Sequence, residues 1–161
     1  MSIHTVPVKQ VANTFLQRDF MNGLASTTPM KMQKLVYLAH GWHLAIHDRP
    51  LISENFEAWP YGPVEEDLYH IFKPYRDAPI TDYAKTWVGN EEKAYVVPSE
   101  NSDFYGVFEK IVQKYIGFSA LQLSALTHQP GTPWSITRSK GESVIPNDLI
   151  RDHFRGLVAN G

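Results

Sequence analysis

The chain has 161 residues, enough for one domain that hides roughly 70% of the surface its unfolded form exposes. Hydrophobic residues at 43%, aromatics at 12% and charged residues at 20% exclude a disordered, collagen-like or rod-like chain. Fifteen Lys and Arg against seventeen Asp and Glu leave a charge of −2, which gives no overall field for gripping nucleic acid or an anionic membrane.

Val8, Val11, Ala12, Phe15, Leu16 and Met21 recur at three- and four-residue spacings, predicting a first helix from Val8 to Met21, with Pro7 at its start and Gly23 beyond its end. Thr28 and Pro29 open a second, running to about Ile46. Met32, Leu35, Leu38, Ala39, Trp42 and Ile46 form one face of it while Tyr37 and Leu44 lie opposite, so this helix is expected to be covered on both sides. Between Asp48 and Gly62 a strand or two at most is expected, within Leu51 to Trp59. Pro63 reads as the start of a short amphipathic helix carrying Val64, Leu68, Ile71, Phe72 and Tyr75. The stretch from Arg76 to Ser102 reads as an exposed insertion with a short strand at Ala94 to Val97 and room for a small hairpin.

Ser102 is expected to cap a helix bearing Phe104, Val107, Phe108, Ile111, Val112 and Tyr115, stopped by Gly117. Ser119 with Gln122 forms a capping-box pattern ahead of Leu121, Leu123 and Leu126, and His128 to Thr132 breaks the helix that follows. Pro133 and Trp134 start a short helical turn, and Pro146 opens a last helix with Leu149, Ile150, Phe154 and Leu157 on one side. The sum is a mainly α chain, one multi-helix domain over residues 1–161 with a variable insertion at about 76–102 and at most a small β-hairpin or short sheet.

Chemistry is sparse. The absence of cysteine removes disulfides, thiolate metal sites and cysteine nucleophiles together. No leader pattern lies in Met1 to Val11 and no run approaches the ~20 apolar residues of a membrane span, so a cytoplasmic location without membrane partners is expected. His40, His43 and His47 fall near one another on the second helix, the arrangement a metal-dependent enzyme would need. The His-Glu-x-x-His pattern is missing, however, and the preferred reading is of partly exposed rings flanking the core face. Neither a nucleophile elbow nor a phosphate-binding glycine loop occurs. Glu65, Glu66 and Asp67 are read as first-turn acids complementing a helix dipole. No enzyme, metal or cofactor is expected.

What stands out is Trp59-Pro60-Tyr61-Gly62-Pro63-Val64. Pro60 restricts Trp59, Gly62 admits a backbone angle other residues resist, and Trp and Tyr supply large anchors whose polar tips tolerate water. On composition the segment reads first as a structural anchor and second as a partner-facing loop; in the second reading Trp59, Pro60, Tyr61, Gly62, Pro63 and Glu65 are the candidate partner-binding residues. Between Pro50 and Phe72 lie Glu54, Glu57, Glu65, Glu66 and Asp67 without a Lys or Arg, predicting an acidic face that would attract a basic protein. Lys9, Arg18, Lys31 and Lys34 against Asp19 predict a mildly basic side elsewhere.

Three blocks, Met32 to Trp42, Phe56 to Val64, and Leu123 to His128 with Pro133-Trp134, resemble the Panacea domain, the SocA-like antitoxin family that includes phage-associated GepA-like proteins. The resemblance implies a mainly helical bacterial or prophage antitoxin that neutralises a cognate protein toxin by direct binding, without catalysis. It also implies an adaptor variant that delivers its toxin to a ClpXP-type protease. Lys34, Tyr37, His128 and Trp134 fall in the matching blocks, as structural or binding residues. An operon-binding DNA regulator is the competing reading, though no helix-turn-helix carries an evident basic recognition helix.

Overall fold

A computed structural model describes residues 5–23 and 25–160, without the side chains of 159 and 160. Residues 1–4 of the leader reading lie outside the described residues. The order is α1 (Val8–Met21), α2 (Pro29–His47), β1 (Phe56–Trp59), β2 (Gly62–Glu65), α3 (Glu66–Phe72) and a 3-10 turn at Lys73–Tyr75. Then follow β3 (Thr86–Val88), β4 (Glu91–Lys93), α4 (Ser102–Tyr115), α5 (Ala120–Thr127), α6 (Pro133–Ser139), β5 (Val144–Ile145) and α7 (Asn147–Asn160). The chain is mainly α, with a three-stranded antiparallel sheet in the order β2-β1-β5 and a separate β3-β4 hairpin.

Helix α2 is the axis of the fold, contacted by α1, α3, α4, α5, α7 and β2. Thr28 caps it by accepting from the Lys31 N–H, Pro29 sits where no donor is needed, and Asp48 ends it in the left-handed region. Its two apolar faces are covered except at the C-terminal end: Met32, Leu35 and Leu38 are buried, and so are Tyr37 and Leu44, whereas Ile46 is exposed. Gly41 lets α7 come close, since a Cβ there would stand 2.2 Å from Cε2 of Phe154. Phe15, Phe104 and Phe108 fill the side formed by α1 and α4. Phe56, Tyr37 and Phe154 meet edge to face on the other side.

Three local expectations change. Pro63 does not start α3: it lies in β2, and Glu65 caps the helix by accepting from the Asp67 and Leu68 N–H groups. Ala94 to Val97 is not a strand, because side chains take its backbone groups: Asn13 donates to Tyr95 O, Val97 N donates to Thr14 Oγ1, and Tyr105 donates to Val97 O. Asn101, not Ser102, caps α4. The capping box of Ser119 and Gln122 forms as expected.

Candidate partner-binding site

Strands β1 and β2 form a hairpin paired from Phe56↔Glu65 to Trp59↔Gly62, leaving Pro60 and Tyr61 as a two-residue loop. Tight hairpin loops favour positive φ inside the turn, but neither Pro60 nor Tyr61 has it. Gly62 takes that conformation instead, at φ +117°.

A hairpin of this size is marginal alone, and here its backbone is held from outside. Ala58 O accepts from Arg138 Nη1 at 2.8 Å and Trp59 O from Trp134 Nε1 at 2.6 Å. Tyr61 O accepts from Ser124 Oγ at 2.6 Å and Pro63 O from Lys34 Nζ at 2.8 Å. The Gln33 amide bonds both the N–H and the C=O of Glu65 at 2.9 Å each, as a neighbouring strand would. Since Pro63 has no N–H, every outward-facing hydrogen-bonding group of β2 is occupied.

Lys34 is 1% exposed, and burial pushes its pKa down to about 7. The ammonium lies under Gly62, where an added Cβ would be 3.1 Å from Lys34 Cε and Nζ, so glycine serves both the turn and the lysine. Glu65 is 2% exposed; burial raises its pKa while the N–H bonds from Asp67 and Leu68 oppose the rise. Pro60 and Tyr61 project outward, with Tyr61 71% exposed. Trp59 is half-buried, donates to Glu57 Oε1 at 2.7 Å and meets the Tyr69 ring at 4.9 Å.

Beside this turn is a groove of about 800 Å³ between the first turn of α2, the hairpin, α3 and the 3-10 turn. Its walls include Met30, Trp59, Tyr61, Val64, Leu68 and Tyr69. The basic residues on it are Lys34, His70, Lys73 and Arg76, and among the described residues no carboxylate lines it.

The family model of the antitoxin SocA-like Panacea domain matches residues 32–135. The chain belongs to this family. It is similar to antitoxin SocA of Caulobacter vibrioides (strain NA1000 / CB15N), 30% identical over 158 residues, which span 94% of this chain and 84% of that protein. No solved structure matches.

Within this Panacea domain the three sequence blocks converge on one object. Lys34 holds the hairpin from α2 and Trp134 from α6, while His128 meets the Trp134 ring at a tilt, centroids 5.2 Å apart, and stands 3.4 Å from the Ser124 hydroxyl. Tyr37 reaches the hairpin only through ring packing on Phe56 and bonds none of the hairpin backbone. Its ring packs on Phe56 and Phe154, and its buried hydroxyl has no partner among the described residues. Gln33, Ser124 and Arg138 carry bonds that sequence reasoning assigned to no residue. Arg138 stands one turn after Trp134, the signal that could have found it.

Two charge expectations are corrected. Glu65 is inside the protein, so it adds nothing to an acidic face, and the groove beside the turn presents cations. The mildly basic side shrinks as well: Lys31 donates to Ile116 O, Lys34 is under the hairpin and Arg18 pairs with Glu109, which leaves Lys9, whose exposed ammonium donates to Lys85 O. His40 and His43 are buried, not partly exposed; His40 Nε2 bonds Asn147 Oδ1 and His43 Nδ1 bonds Arg49 O, both at 2.9 Å. Two of the three rings therefore spend a nitrogen on structure. No described helix is long and apolar enough to cross a membrane.

Proposed function

We propose that this protein is the antitoxin of a bacterial or prophage toxin–antitoxin pair, acting in the cytoplasm by direct, non-enzymatic binding of a protein toxin through the Trp59–Tyr61 turn. The supporting observation is the convergence of three family blocks on a hairpin whose backbone is immobilised while Pro60 and Tyr61 stand in solvent. A stiff loop loses little conformational freedom on docking, and aromatic anchors at the centre of an interface dominate its energy. In this reading Trp59, Pro60 and Tyr61 touch the toxin, whereas Gly62, Pro63 and Glu65 shape the turn and Lys34, His128 and Trp134 hold it.

The test is expression of the neighbouring gene with and without this protein. Rescue of growth is expected, and a harmless neighbour overturns the antitoxin reading. Tyr61→Ala is expected to weaken toxin affinity by about thirtyfold, the effect of losing an anchor worth ~2 kcal/mol. Unimpaired rescue by Trp59→Ala and Tyr61→Ala variants that remain folded refutes the contact assignment. Occlusion suffices for neutralisation; delivery to a ClpXP-type protease is a separate step, tested by toxin half-life with and without that protease.

A further inference from the structure

Resting on the antitoxin reading, we propose that the groove beside the hairpin receives an acidic segment of the toxin bearing apolar side chains, docked through its side chains and not as an added strand. The charges around α3 are sorted by side. His70, Lys73 and Arg76 line the groove, with Lys73 Nζ 5.8 Å from the centre of the Tyr69 ring that forms its lip. Glu54 and Asp67 line a second hollow of about 370 Å³, together with Pro7, Val8, Lys9 and Ile71, and His70 borders both. Glu66 lies 3.6 Å from His70 and offsets that ring when it is protonated, leaving Lys73 and Arg76 as the cations offered to an occupant.

The volume of about 800 Å³ falls within the ~300–1,000 Å³ typical of ligand sites, and the lining is apolar apart from those cations and the buried Gln33 and Lys34. Carboxylates meeting Lys73 and Arg76 at the rim would be drawn in by complementary charge while apolar side chains fill the floor over Val64 and Leu68. Strand addition is closed off. Pro63 O and the Glu65 N–H and C=O, the groups an extra strand would need, already bond Lys34 and Gln33.

The experiment measures association of the full chain with the purified product of the neighbouring gene at low and high ionic strength. Lys73→Glu with Arg76→Glu is expected to lower affinity about tenfold or more at low salt, chiefly through slower association, with the gap narrowing at high salt. Glu54→Lys with Asp67→Lys is expected to change affinity less than about twofold. Both pairs are exposed or half-buried, and circular dichroism verifies their folding. Should the reversal pair misfold, Lys73→Ala with Arg76→Ala gives the same reading with a smaller loss. A wild type that binds the neighbour while the Lys73/Arg76 variants bind equally well or more tightly overturns the groove and leaves the antitoxin reading standing. A wild type that fails to bind the neighbour overturns the antitoxin reading itself, and the groove inference with it.

Discussion

Replacing Lys34 with Met tests how the hairpin is held. The Lys34 ammonium is buried, bonds Pro63 O at 2.8 Å, and burial alone pushes its pKa down to about 7. In the unfolded chain it returns to its ordinary value of 10.5. Between those values the unfolded state binds more protons than the folded state, so stability rises with pH through the window. Each unit contributes about 1.4 kcal/mol, or roughly 3 kcal/mol between about pH 7.5 and about pH 9.5. Below about pH 7 both states are protonated and the whole cost of burying the charge is present. Lys34→Met deletes the titrating group, and it also leaves Pro63 O without a donor at a cost of about 1–3 kcal/mol. The variant is therefore expected to lose least, or to gain, at the acid end of the window and to fall progressively behind wild type as pH rises. Urea unfolding followed by tryptophan fluorescence measures both curves. Lys31, whose pKa burial also lowers, titrates in both proteins and cancels in the difference. A difference that stays constant within about 0.5 kcal/mol across the window refutes the reasoning, because the ammonium would then be solvated or paired.

Gly41→Ala puts a methyl where Phe154 Cε2 would be 2.2 Å away, so it is expected to destabilise by about 1–3 kcal/mol despite the ~1 kcal/mol that alanine gains in a helix. An unchanged denaturation midpoint would mean α2 and α7 are further apart than described. Burial lowers the His40 pKa to about 4 from 6.5, against the hydrogen bond that His40 Nε2 donates to Asn147 Oδ1, which raises it. The unfolded chain then takes up its proton first as pH falls from about 6.5 to about 4, and up to roughly 3 kcal/mol of stability is lost in that interval. Ring-proton NMR should find the His40 midpoint near 4, and a midpoint at its ordinary value contradicts the burial. Tyr37→Phe removes a buried hydroxyl with no partner among the described residues, so stability should be unchanged or up to about 1 kcal/mol higher. A loss above about 1 kcal/mol in the same denaturation assay would reveal a bonded hydroxyl.

The helices were legible because their ends carry local chemistry. Pro7 and Thr28-Pro29 open α1 and α2, and Ser119 with Gln122 opens α5, each through groups within four residues of one another. Strand β1 lies within the stretch where a strand is expected, but β2 and its pairing are not legible, because that strand is four residues long and Pro63 imitates a helix start. Proline is tolerated there since its missing N–H faces away from β1, at a position where the carbonyl alone is used, by Lys34. Charge was misread for a related reason. Counting along the chain places Glu65, Lys31 and Lys34 on surfaces, whereas the fold spends the first on a helix cap and the other two on distant backbone carbonyls.

That misreading bears directly on function. The family blocks combine residues that contact solvent with residues that never reach it, and a motif alone does not separate the two. Trp134 and Lys34 bond the hairpin backbone and not its side chains. They constrain where the turn sits without constraining what Pro60 and Tyr61 present. If the proposed antitoxin reading holds, changes at Tyr61 or at the groove cations Lys73 and Arg76 are expected to alter which toxin is bound while the support from α2, α5 and α6 stays intact. On the same proposal, changes at Trp134 are expected to act the other way, weakening binding to any toxin by loosening the turn, because the entropy then lost on docking rises for every partner alike.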